Sequence, residues 1–217
     1  MMKTLTHAYA KASAAQALVT LVAIVFFATP VLAGPPLICH PFVTEGGTLI
    51  AWSSGNGWNS QDRSYDIKKL VADTTAVLTP DAPILTRMEN LRRAAIYAMR
   101  DPVIARDLLK TMMNRALGTT TDDQAWFDAG YLIETYKQAV VIRELRNPSL
   151  QGWEEVDATL KVDGYNWVKK SMAMTAPSAE MEFAASLMTQ GPVSSAHRSK
   201  ALAGAAKGSV LAQNLAF

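Results

Sequence analysis

The chain has 217 residues, 49% hydrophobic and 18% charged, with one Cys, three His and a formal net charge of +2. That length suits one domain with a sizeable core and no need of disulfide or metal staples. The composition excludes a disulfide scaffold, a disordered charged tail and a low-complexity polymer.

Residues 1–33 carry Lys3 and Lys11 and no acid, then an apolar run from Ala17 to Ala28, a break at Pro30, and Val31-Leu32-Ala33. A positive start, an apolar stretch of about a dozen residues and small residues ahead of a cut site have the order of a secretory signal peptide. Cleavage after Ala33 would leave Gly34 first and send the protein to the periplasm or the exterior. The run from Leu18 to Ala28 falls short of the roughly 20 apolar residues of a spanning helix, so no stable membrane span is expected after cleavage. With Lys3 and Lys11 set aside, the 21 Lys+Arg fall to 19, equal to the 19 Asp+Glu. A neutral body without a basic stripe has no counterion-release drive toward nucleic acid and little pull toward anionic lipid. The Arg198, Lys200 and Lys207 of the acid-free C-terminal stretch read as one solvated helix face.

Residues 34–63 contain Pro35, Pro36, Pro41, Gly46-Gly47 and the cluster Ser53-Ser54-Gly55-Asn56-Gly57. Turn formers at this density forbid a long helix and leave room for one short strand around Thr48 to Trp52. Leu37, Ile38, Phe42, Leu49, Ile50, Trp52 and Trp58 are too many large apolar groups for a free linker. The segment is therefore expected to wrap over the surface of the downstream domain and bury them, with Trp52 and Trp58 in the core in preference to a sugar-stacking surface.

From Ser64 the apolar period becomes helical, and residues 64–217 are expected to form an all-α domain. Ile67, Leu70, Val71, Thr74, Val77 and Leu78 share one face. A second helix is predicted with Asp81 as N-cap, Pro83 in its first turn and the stripe Ile84, Met88, Leu91, Ala95, Ala98. Asp101-Pro102 opens a third, which runs through Ile104, Leu108, Met112 and Ala116 to Gly118. Thr121 and Gln124 have capping-box spacing and begin a long helix through Trp126, Ile133, Tyr136 and Val140, ending before Asn147-Pro148. Over 156–167 two readings compete: a hairpin turning at Asp163-Gly164, or a helix from Gly164 to Met174 capped by Asp163. The spacing of Trp167-Val168 and Ser171-Met172 favours the helix. Two more helices are expected, about Ser178 to Thr189 and Ser194 to Leu215.

The junction from Val168 through Pro177 to Leu187, with Pro177, Phe183, Ala184 and Ala185, resembles the boundary between two tetratricopeptide repeats, with Ala196, Lys200 and Ala203 on the paired second helix. Ala125 to Gly130 resembles the first helix of such a repeat, Trp126 and Gly130 standing where its consensus has Trp and Gly. The resemblance covers about a third of the chain. It implies a stack of helix pairs that offers a groove to a protein or peptide, with no catalytic residues to carry over. The fold expected is thus a helical-hairpin array or an irregular helical bundle behind a loop-rich N-terminal segment.

Chemical motifs are few. The chain has no Gly-x-Ser-x-Gly elbow, no His-Glu-x-x-His, no phosphate loop and no dinucleotide fingerprint, and no catalytic set stands out. Ser194, Ser195 and His197 are neighbours in sequence, but i and i+2 point apart on a helix and no acid accompanies them in that segment. Cys39 is the sole cysteine, so no intrachain disulfide forms. Cys39-His40 has the second half of a haem-attachment motif with Pro36 in place of the first Cys. Cys39, His40 and His197 together make a three-ligand metal candidate without a spacing signal. Met112-Met113 and Met172-Ala-Met174 read as core fillers before Cu(I) ligands. Two functions are expected on these grounds: an exported non-enzymatic helical-repeat protein, without cofactor, that binds a protein or peptide in the cell envelope; or a metal- or haem-binding periplasmic protein using Cys39 and His40.

Overall fold

The structure is a computed structural model that describes residues 36–55, 57–146 and 152–216, all within one contact unit beginning at Gly34. The export segment lies outside the described residues, as does the Asn147-Pro148 stop. The described residues contain ten α-helices, one short 3-10 turn (Ile67–Lys69) and no strand, so the chain is all-α. In order they are α1 (Pro36–Cys39), α2 (Leu70–Val77), α3 (Ile84–Ala98), α4 (Pro102–Leu117), α5 (Asp123–Arg146), α6 (Glu154–Thr159), α7 (Gly164–Met174), α8 (Ala179–Met188), α9 (Gly191–Gly204) and α10 (Val210–Leu215). No helix among them is long and apolar enough to cross a membrane.

Helix starts are set by side chains that take up the otherwise orphaned first-turn N–H groups. Asp101 accepts from Val103 and Ile104 N–H, with Pro102 at the first helical position, as predicted. Asp163 accepts from Asn166 N–H, so 164–174 is helix and not the arm of a hairpin. Ser178 caps α8 through Met181 N–H. Three expectations are corrected. The cap of α3 is Pro83, extended at ψ 151°, in place of Asp81. The Thr121/Gln124 box does not form: Asp122 accepts from Ala125 N–H, and Gln124 turns away to Arg87 and the Pro80 carbonyl. The single C-terminal helix is two, because Gly208 sits at φ 77°, a left-handed conformation favouring Gly, and Ser209 caps a new start at Val210.

Helix α5 is the centre of the body. It packs on α1, α3, α4, α7 and α8, and is buried all round from Ala125 to Ile133, the pattern of a core helix. α5 and α7 run antiparallel at close range: Trp126 meets Trp167 with ring centroids 4.8 Å apart, and Gly130 lies against Gly164. α8 and α9 form the second extensive antiparallel pair. The methionines of both sequence pairs line or flank the core, as predicted.

The N-terminal segment wraps over α3. Leu37, Ile38, Phe42 and Ile50 are buried, while Trp52 and Trp58 pack partly buried at the core margin. The expected strand at Thr48–Trp52 is absent, because its backbone bonds to side chains of α3 in place of a second strand. Ile50 N–H donates to Asn90 Oδ1 (2.8 Å), whose amide donates back to the Thr48 carbonyl (2.8 Å). Arg93 donates to the Ile50 carbonyl (2.7 Å) and Tyr97 Oη to that of Ala51 (2.8 Å).

Two ion clusters are buried along α3, the first of them beneath this wrap. Glu89 joins Arg92 (2.8 Å) and Arg93 (2.7 Å) and also accepts from Phe42 N–H (3.0 Å). Arg92 further donates to the carbonyls of Ile38 and Trp58. Arg87 joins Asp128 on α5 (2.7 Å) and fixes the Ala82 and Thr79 carbonyls and Gln124. Burial pushes the Asp128 carboxyl up to about 6 against the lowering pull of Arg87 and Arg115. These clusters join elements far apart in sequence; their geometry is that of structural ties.

Candidate functional site

Titratable groups converge at the α7, α8 and α9 faces. His197, on α9, has Nδ1 2.5 Å from Glu182 Oε2 on α8 and Nε2 2.6 Å from Tyr165 Oη on α7. Lys200, one turn further along α9, reaches the other Glu182 oxygen at 3.3 Å. Lys169 stands 4.8 Å from the centre of the Tyr165 ring, in cation–π range. The hairpin register brings these residues together: Ser194 Oγ donates to the Ser186 carbonyl (2.8 Å), and Gly204 meets Ala179 at the far end.

A carboxylate on one imidazole nitrogen fixes the tautomer and leaves the other nitrogen to exchange a proton with a hydroxyl. With Glu182 on Nδ1, the His197 Nε2 is left to pair with the Tyr165 hydroxyl. Burial, reinforced by the Glu182 charge, raises the phenol's pKa and keeps it protonated. Both ring nitrogens are therefore committed to protein groups. A substrate would have to displace Tyr165 before His197 could act as a base. As it stands, the cluster is a clasp that locks α9 to α7 and α8. Glu182→Ala is expected to leave His197 and Lys200 without their shared acceptor and lower stability by about 1–3 kcal/mol. In amide hydrogen exchange, α9 should lose protection before α3 and α5; equal loss across all three helices would refute a local clasp.

The three metal candidates occupy two separate settings. Cys39, half-buried, ends α1, and His40 comes next with its ring edge-on to Phe42 at 6.2 Å. Burial, with Arg92 nearby, holds the His40 imidazole below its ordinary value, while Glu89 pulls the other way. His197 is engaged by Glu182 and Tyr165. Among the described residues, no three His, Cys, Asp or Glu side chains are grouped as metal ligands. Ser194 bonds a backbone carbonyl on α8, and Ser195 is exposed.

Sequence reasoning marked His197 and missed Tyr165, Glu182 and Lys200. The available signal was the α8–α9 turn: an antiparallel pair folding back near Gly191 sets Glu182 opposite His197 and Lys200. Tyr165 carries no comparable signal, because α7 reaches the site only through its packing on α5. No protein-family model, curated protein or solved structure matches this chain.

Proposed function

We propose that the chain is an exported, non-enzymatic helical-hairpin protein that binds a protein or peptide partner in the cell envelope. The observation that carries this reading is the exposed side of α9. Ser194 and His197 bond α8, Arg198 bonds the Leu215 carbonyl of α10, and Ala201 is the one buried residue of the helix. Ser195, Ser199 and Leu202 recur one turn apart along an adjoining side and are exposed, Leu202 at 54%. Stacked helix pairs bind partners through surfaces that their packing leaves exposed, and this row is such a surface. The antiparallel pairs α5/α7 and α8/α9 support the tetratricopeptide-like reading, with α6 inserted inside the first pair. The basic-then-apolar order of residues 1–33 supports export.

A photo-crosslinking amino acid at Ser199 or Leu202, in cells producing the protein, is expected to trap one discrete partner. The same group at Lys110 on α4, also exposed, should not. Identical adducts at all three positions, or none on α9, would reject the binding face. Sequencing of the purified protein should begin at Gly34; retention of residues 1–33 would reject cleavage there.

A further inference from the structure

A second surface feature lies where the wrapping segment meets the end of α3. Asn59, Gln61, Arg63 and Arg100 line an open pocket of about 440 Å³, within the range of small-ligand sites. Among the described residues its lining holds two guanidinium groups, two carboxamides and no acid. Among the described residues neither Arg63 nor Arg100 forms an ion pair, whereas Arg87, Arg92 and Arg93 on the adjoining helix all do. The nearest acids in the chain are engaged elsewhere: Asp62 accepts from Ser64 N–H (2.8 Å) and Oγ (2.7 Å), and Asp101 caps α4.

The wall is built and not a loose loop. Ser53 N–H donates to the Ser60 carbonyl (2.9 Å), and Asp62 N–H donates to Tyr97 Oη (2.9 Å). Gln61 Nε2 donates to Asn59 Oδ1 (2.8 Å), which aims Asn59 Nδ2 and Gln61 Oε1 at other partners. Two planar guanidinium forks and one amide donor suit an oxyanion, and the amide acceptor suits a neighbouring hydroxyl.

We propose that the Asn59–Gln61–Arg63–Arg100 pocket binds a small carboxylate- or phosphate-bearing anion. This site is independent of the α9 face. Calorimetric titration of the purified protein at low ionic strength, with glucuronate, inorganic phosphate and neutral glucose as probes, tests it. Saturable one-to-one binding is expected for at least one anion and not for glucose. Glucuronate alone would assign a carboxylate ligand; phosphate alone, a phosphoryl ligand. Arg63→Gln and Arg100→Gln should each weaken binding about tenfold, through loss of a charge-assisted hydrogen bond. Both residues are exposed, so thermal unfolding should be unchanged; Lys110→Gln should bind as the parent does. Failure of both anions to bind at millimolar concentration, or full affinity in the double Arg variant, overturns the proposal.

Discussion

Glu89→Ala lowers the stability of the protein by about 3–5 kcal/mol, because it strands a buried guanidinium without its counter-charge. Arg92 is fully buried and Arg93 nearly so, and both direct their Nε donors at Glu89. The same carboxylate accepts from Phe42 N–H, so its loss also frees the start of the wrapping segment. For a chain of this size the change corresponds to a fall of about 10 °C in Tm. Glu89→Gln, which keeps acceptor and shape but not charge, should lose less. Trypsin should cut faster at exposed Arg63 as the segment loosens. A loss below about 1 kcal/mol, with unchanged cleavage, would mean that the guanidiniums find water and that the cluster does not tie the segment down.

Gly130→Ala is the second large effect, and it acts through space alone. A Cβ there would stand 2.5 Å from the Gly164 carbonyl oxygen and 2.9 Å from Trp167 Cβ. Backbone cannot yield as a flexible side chain can, so α5 and α7 must separate, at a cost of about 1–3 kcal/mol or more. Gly164→Ala meets the reciprocal clash with the Gly130 carbonyl and with Glu134. Near-UV circular dichroism should weaken in both variants as Trp126 moves off Trp167. Unaltered stability and spectrum would show that the two helices are not in this contact.

Much of the fold was legible because its signals are local. Asp101-Pro102, Asp163 and Ser178 cap helices through N–H groups two or three residues away, so the identity of one residue predicts the start. The density of Pro and Gly in 34–63 ruled out a long helix, and its seven large apolar groups required burial. Where the capping prediction failed, at Gln124, a distant partner had taken the side chain: Arg87 comes from another helix. Trp126 and Gly130 resemble a repeat motif, and their physical use is the close crossing with α7.

Sequence by itself determined the helical class, most helix starts and the wrapping role of the N-terminal segment, because periodicity, caps and apolar content act over a few residues. Only the tertiary structure decided which polar groups are inside. Arg87, Glu89 and Arg92 stand outside the apolar stripe that predicts α3, and yet all three are buried. Glu89 and Arg92 are covered by the wrapping segment, bonding Phe42, Ile38 and Trp58, and Arg87 by residues 79–82 and α5; neither cover is inscribed in α3. The same holds for the Tyr165–His197–Glu182 clasp and for Arg63 and Arg100, which form no ion pair among the described residues, since charge pairing depends on distances that chain separation does not reveal.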